Sequence, residues 1–229
     1  MSRDIIKDLV TIRQAIRRSI TRMRLRGQKR QNPNKQKLDV YWNKDIADVN
    51  SSWGEGTVWN EIQLLLAGCR GKVLDIACGT GGAIRSLTSN DGLEVFGCDI
   101  SDFLLQRAID SGVSRDRLKV VNATETGYLE NEFDYSYSVG SLEHFDEISL
   151  INAIKESQRI TKNISFHNVP TLRPGYDEFK GWLDLEQSYF NMPQEWWLIR
   201  FKKYYAHVVV LPSSWNDAIS IGKWFVCFK

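Results

Sequence analysis

Val73 to Ala77 is an apolar run broken only by Asp75, the pattern of a strand buried on both faces of a parallel sheet. A sharp turn through Gly79, Gly81 and Gly82 follows, and Ile84 and Leu87, three apart, begin a helical pattern. The alternation repeats downstream. Leu93 to Cys98 reads as a second strand ending at Asp99. Asp102 to Ser111 reads as a helix capped by Ser101 and closed by Gly112. Leu118 to Val121 predicts a third strand, ending at Asn122-Ala123-Thr124, and a fourth is entered through Glu132 to Tyr135 and left at Gly140. An amphipathic helix over 148–161, with Ile151, Ile154 and Ile160 on one face, leads to a fifth strand from Asn163 to Asn168. Strands alternating with helices predict an α/β domain around a mostly parallel sheet.

Upstream, Val58, Ile62, Leu65 and Leu66 sit at helical spacing between Gly54 and Gly68. Downstream, 169–195 breaks the pattern with Pro170, Pro174, Gly175 and Gly181 and is rich in aromatic residues (Tyr176, Phe179, Trp182, Tyr189, Phe190). An insertion of that length in a compact α/β domain is usually functional, and a cover over an acceptor is the expectation. Trp196 to Tyr205 then predicts a helix with a basic outer face. Ala206 to Leu211 and Lys223 to Phe228 predict two last strands, and with no helix between them they should pair antiparallel.

The N-terminal pattern is different. Ile5, Leu9, Ile12, Ile16, Ile20 and Met23 form one apolar stripe along a helix from Asp4 to about Arg26, and arginines fill much of the remaining surface. The stripe is open to three readings: packing on its own domain or a second copy, adsorption to an anionic membrane surface, or nucleic-acid contact. The last lacks an aromatic residue for base stacking before Tyr41. Gly27 to Lys37 is polar, with Asn-Pro at its centre, and reads as a linker. Residues 1–37 therefore divide from a domain over 38–229.

Charge sharpens this division. The formal net charge of +2 conceals a net +10 in residues 1–37 and a net −8 in the rest, a basic arm on a mildly acidic domain. Hydrophobic content of 42% and charged content of 25% over 229 residues suit one soluble domain with a full core. No apolar run approaches the roughly 20 residues of a membrane span, and the N-terminus lacks the uncharged core of a secretion signal. The expectation is a cytoplasmic protein, with the arm leaving peripheral contact at the inner membrane surface open. Cys69, Cys78, Cys98 and Cys227 form no C-x-x-C pair, which argues against zinc and a disulfide framework.

The glycine turn decides between two ligand loops. A dinucleotide fingerprint, G-x-G-x-x-G, fits Gly79 and Gly81 but meets Ile84 at its third position. The stretch instead resembles the first motif of class I S-adenosylmethionine-dependent methyltransferases, an acidic residue followed by G-x-G-x-G. Asp75, Gly79 and Gly81 match, and Ala77 departs from the first glycine. The resemblance implies a Rossmann-like seven-stranded sheet with an antiparallel last strand and helices on both faces, binding S-adenosyl-L-methionine and releasing S-adenosyl-L-homocysteine. It assigns Asp99 to the ribose, with Ile100 beside it, and Asn122, Ala123 and Thr124 to the adenine. The segment before the first motif closes over the methionine end of the cofactor in that family, which brings in Trp53. Ser138 lies at the end of the fourth strand, on the same edge.

Ser141-Leu142-Glu143-His144-Phe145 resembles the motif after the fourth strand, whose L-E-H form marks small-molecule and lipid-type methyltransferases. It is neither the N-P-P-Y nor the P-C motif of nucleic-acid methylases. Ubiquinone-type O-methyltransferases carry E-x-x-E-H here, a cluster associated with a divalent metal. Gly140 replaces the first acid, so no metal is expected. His144 faces the transferred methyl in this resemblance and is a candidate base. His167, near the edge of the fifth strand, is a second. For both, a structural histidine is the competing reading. Trp196-Trp197 and Ser213-Ser214-Trp215 resemble methyltransferases of surface-polysaccharide pathways. The function expected is methyl transfer to a hydroxyl of a small molecule, glycan or lipid-linked precursor. A non-catalytic cofactor-binding partner subunit, or a nucleic-acid methyltransferase guided by the basic arm, stays open beside it.

Overall fold

The computed structural model describes Gly54 and residues 56–183 and 187–229, and side chains within 179–189 are outside that description. The basic arm, the linker and Trp53 therefore lie outside the described residues. Helix α1 (Val58–Leu65) leads into β1 (Gly71–Ile76), α2 (Gly82–Leu87), β2 (Leu93–Asp99), α3 (Asp102–Asp110) and β3 (Leu118–Val120). Then come β4 (Phe133–Val139), a 3-10 turn over Leu142–His144, α4 (Glu147–Ile160) and β5 (Thr161–Leu172). A hairpin of β6 (Phe179–Leu183) and β7 (Gln187–Asn191), α5 (Gln194–Lys202), β8 (His207–Asn216) and β9 (Ser220–Phe228) complete the chain.

Seven strands form one sheet in the order β3-β2-β1-β4-β5-β9-β8. Neighbours from β3 to β5 pair parallel, and β9 alone runs against them, wedged between β5 and β8. This is the expected mixed sheet with its last strand antiparallel. Alternation along each strand sends side chains to two faces. Val73, Tyr137, Phe166, Trp224 and Val226 pack with α1 and α2. Val169, Phe225 and Cys227 pack with Trp197 and Phe201 of α5 and with Leu150 and Ile154 of α4. A parallel sheet needs cover on both faces, and these two layers supply it.

Two details depart from the sequence pattern. The fifth strand runs to Leu172, four residues beyond the expected end, because Val169 to Leu172 keep pairing with β9 through Lys223 to Ser220. Pro170 is tolerated in that run. The remainder of the insertion is a two-stranded hairpin rather than an irregular cover. Helix ends follow local chemistry. Ser101 accepts from Leu104 N–H as the cap of α3, and Asp146 accepts from Ile148 and Ser149 N–H to start α4. Glu61 of α1 accepts from Ser213 Oγ (2.8 Å), Ser214 N–H and Trp224 Nε1 (2.8 Å), clamping the first helix to the last two strands.

His167 lies in the layer under α5, stacked on Phe201 at 5.0 Å, and is 1% exposed. Its Nδ1 is 2.8 Å from Ser138 Oγ, and its Nε2 faces Ser157 Oγ (3.4 Å) and Tyr205 Oη (3.5 Å). Ser136, Ser165 and Thr161 extend this interior chain of hydroxyls. Both sequence assignments here are corrected: His167 is a satisfied core residue rather than a base, and the Ser138 side chain turns inward to it rather than toward a cofactor. The reason is strand parity, since both point to the face covered by α4 and α5.

Burial pushes the His167 pKa down to about 3. Unfolded histidine titrates near pH 6.5, so the unfolded chain binds the extra proton between these values. Stability contributed by neutral His167 is therefore complete above about pH 6.5 and lost as pH falls toward 3, at up to about 1.4 kcal/mol per pH unit. Thermal melts of the wild type and His167→Gln should show a shallower fall between pH 6.5 and 4 in the variant. Parallel curves would remove histidine as the cause.

Candidate active site

The C-terminal edge of β1, β2 and β4 carries the residues that the motifs marked. The chain leaves β1 through three left-handed residues: Ala77 (φ 59°), Gly79 (φ 54°) and Gly81 (φ 69°). The glycines serve different ends. A Cβ on Gly81 would meet Ala108 Cβ and Val113 Cγ2 at 3.0 Å, and one on Gly82 would strike the Trp59 ring at 2.2 Å. Those two glycines let α2 pack against α3 and α1. A Cβ on Gly79 would meet nothing within 4 Å, so its backbone borders open space. Gly79 is therefore the point where a ligand can approach the backbone.

Asp99, at the end of β2 and 6% exposed, holds this loop in place. Its Oδ2 accepts from Gly79 N–H (2.9 Å) and its Oδ1 from Ser101 N–H (2.9 Å). Burial raises its pKa, while the backbone N–H groups of Ser101, Gly79 and Ile100 oppose the rise. Two amide bonds leave lone pairs on both oxygens, enough to accept from vicinal hydroxyls. Asp75 of β1 is 3% exposed, and burial pushes its carboxyl well above the usual range. The Tyr137 hydroxyl beside it opposes that rise without reaching hydrogen-bonding geometry, and Asp99 adds to it. Two acids thus lie buried at the loop, each pushed by burial toward its neutral form.

Beyond β3, Asn122 Oδ1 accepts from Thr124 N–H (3.0 Å) in an Asx turn, and Ala123 is buried. Glu156 of α4 accepts from Thr126 N–H (2.9 Å) and pairs with Arg159, whose Nη2 donates to Tyr128 O (2.8 Å). That staple fixes the wall formed by 122–128. Ile100 is 37% exposed at the same edge. Asp99 and Ile100 thus stand beside the glycine loop at this edge, next to Ala123 and Thr124 beyond β3.

The turn after β4 faces the loop. Ser141 Oγ lies 3.5 Å from Ala77 O and donates to Val139 O (3.1 Å). Glu143 is 1% exposed, and His144, partly exposed, has Nε2 3.7 Å from Glu143 Oε1. Burial first, then Asp217, raises the Glu143 carboxyl to about 8. Among the described residues no group of three or more acidic, histidine or cysteine side chains is arranged to hold a metal. Sequence reasoning placed Glu143 in the L-E-H motif and gave it no role of its own. That its Oε2 is buried without a hydrogen-bond partner was not readable from its neighbours in the chain.

Residues 73–163 match the profile of the methyltransferase-domain family. Phosphoethanolamine N-methyltransferase 1 of Triticum aestivum is 32% identical over 79 residues, covering 33% of this chain and only 16% of that enzyme. Among solved structures, a protein of Pyrococcus horikoshii OT3 superposes with a TM-score of 0.59 at 21% identity, over 81% of this chain and 99% of that one. Phosphoethanolamine N-methyltransferase 2 of Haemonchus contortus, bound to phosphomonomethylethanolamine and S-adenosylhomocysteine, superposes with a TM-score of 0.58 at 18% identity, over 75% of this chain and 53% of that one. The [4+2]-cyclase SpnF also superposes, at 0.54 and 21% identity, over 69% of this chain and 61% of that one. Residues 73–163 are thus similar to a methyltransferase domain, and the sheet as a whole has the fold of these solved structures. The backbone at Gly79 borders open space in a loop that the buried carboxyl of Asp99 holds.

Ala77 occupies a backbone conformation that costs a non-glycine residue about 1–2 kcal/mol. Glycine would relieve that strain but add about 0.4–1 kcal/mol of unfolded-chain entropy. Ala77→Gly is thus expected to match the wild type in stability, or exceed it by up to about 1 kcal/mol, in a denaturant titration. Marked destabilisation would mean that the alanine methyl makes a contact worth more than its strain.

Proposed function

We propose that this protein transfers a methyl group from S-adenosyl-L-methionine to a hydroxyl of a small molecule, glycan or lipid-linked precursor. The observation that carries the reading is the loop held open at Gly79 by Asp99, in a domain of methyltransferase type. When bound, the cofactor supplies an activated methyl on a sulfonium. The chain's own work is positioning, which can supply roughly 7–11 kcal/mol in well-oriented reactions. Asp99 accepts from ribose hydroxyls, Gly79 admits the methionine portion, and Ala123 and Thr124 border the adenine. The Leu142–His144 turn faces the acceptor. The L-E-H turn supports a small-molecule or lipid-type acceptor. The wheat and Haemonchus relatives, named as acting on phosphoethanolamine nitrogen, support an amine as the second reading.

Calorimetric titration with S-adenosylmethionine and S-adenosylhomocysteine tests the cofactor assignment. Asp99→Ala should weaken both by about 1–3 kcal/mol, the scale of a lost hydrogen bond to a charged group. Asp99→Asn, which keeps one accepting oxygen, should lose less. Unchanged affinity in Asp99→Ala would take the ribose away from this carboxylate. Labelled-methyl transfer to phosphoethanolamine, a methyl glycoside and a catechol then separates the acceptor classes. Turnover of the amine alone would replace the hydroxyl reading with the second one.

A further inference from the structure

Three buried side chains around the end of β4 have polar atoms with no hydrogen-bond partner. Glu143 leaves Oε2 unpaired, Asn168 leaves both amide atoms unpaired, and Asn191 leaves Oδ1 unpaired after Nδ2 donates to Ile219 O (3.1 Å). They are 1%, 0% and 1% exposed. An unpaired buried polar atom forfeits its hydration without return, a cost of about 1–3 kcal/mol each. Folding alone gives no reason to keep three together. On the other face the Ser138–His167 system satisfies its hydroxyls and imidazole within the chain, and Trp197 Nε1 is the unpaired buried atom of that layer among the described residues.

The topology brings the three together. Asn168 pairs with Val139 on one side and Trp224 on the other, and Trp224 belongs to the layer under α1. Asn168 therefore points to the α1 face, opposite His167. Met192 bridges Thr171 in parallel, so the end of β7 occupies the lane that β4 vacates after Val139. Phe190 and Met192 pack in the layer under α5, which turns Asn191, between them, to the face of Asn168. The Glu143 turn fills the space between β4 and β7, with Ser141 against the cofactor loop. Three of the four unpaired atoms here that are oxygens accept hydrogen bonds, and the fourth atom, Asn168 Nδ2, donates. Such a set suits an O–H- or N–H-bearing group beside the cofactor.

We infer that Glu143 takes the acceptor's proton during methyl transfer and that Asn168 and Asn191 orient the acceptor, an assignment that rests on the methyl-transfer reading above. The sulfonium carbon–sulfur bond breaks as the acceptor oxygen–carbon bond forms. The electron pair stays on the sulfur of S-adenosylhomocysteine, and the hydroxyl proton passes to Glu143 Oε2. The ionisable groups around that carboxyl are His144 on its own turn and Asp217 in the β8–β9 turn. Glu147 of α4 is paired with Arg200, and His167 of β5 faces away. With its pKa raised to about 8, the carboxyl takes the proton in the molecules where it is ionised, a fraction that grows as pH rises toward 8.

Glu143→Gln separates this role from a structural one, because it keeps shape and removes charge. A raised folded pKa means that the native state binds the proton more tightly than the unfolded chain, so Glu143 loses its share of stability as pH rises from about 4.3 to 8. Glu143→Gln should therefore melt higher than the wild type at pH 8.5, with the gap closing by pH 5. Its affinity for S-adenosylhomocysteine should stay within twofold, and turnover should fall roughly 100-fold or more. Asn168→Ala and Asn191→Ala should raise KM more than they lower kcat. A Glu143→Gln variant that melts lower at every pH, or that turns over fully, overturns the assignment. The melts need no ligand, so they read Glu143 even if the wild type binds no S-adenosylhomocysteine, a result that would strike the methyl-transfer reading itself.

Discussion

The carboxylate of Asp99 ties the glycine loop after β1 to the end of β2, beside the backbone bond from Cys78 N–H to Cys98 O (2.9 Å). The glycine loop leaves β1 through three left-handed residues, a conformation without regular backbone partners. Asp99 holds its centre by accepting from Gly79 N–H and fixes the start of α3 by accepting from Ser101 N–H. The opening beside Gly79, the direction of α2 and the wall beyond β3 all depend on that bond pair. Val121 N–H donating to Asp99 O (2.8 Å) carries the constraint on to the third strand.

Buried polar groups divide this molecule into two chemistries. Under α5, serines, a threonine, a tyrosine and His167 satisfy one another, and burial keeps the imidazole neutral. On the α1 face, above the end of β4, Glu143, Asn168 and Asn191 are buried to the same degree and left partly unpaired. Low dielectric strengthens a satisfied network and penalises an unsatisfied one, so the contrast is a contrast of purpose.

The fold alone does not name a reaction. A [4+2]-cyclase superposes on this chain about as well as a phosphoethanolamine methyltransferase does. The reaction is set by what stands at the sheet edge. In this chain that edge is shaped by the β6–β7 hairpin, whose last residue brings an asparagine into the lane that β4 has left.

The order of strands and helices was legible because each strand buries both faces and each helix one, which leaves periodic marks in the chain. The Ser101 cap, the glycine loop, Asp99 and the antiparallel last strand were legible for the same reason: their causes lie within a few residues. His167 and Ser138 were misassigned because which face a side chain takes depends on register with neighbouring strands, and a shift of one residue reverses it. Glu143 stood in a motif that the sequence showed, but the unpaired state of its Oε2 is a statement about every other residue near it. Asn191 comes from an insertion whose path the sequence could not trace. Local chemistry therefore wrote the cofactor loop into the sequence, while the acceptor end was decided only when distant strands met, because unpaired atoms are defined by the whole surrounding structure.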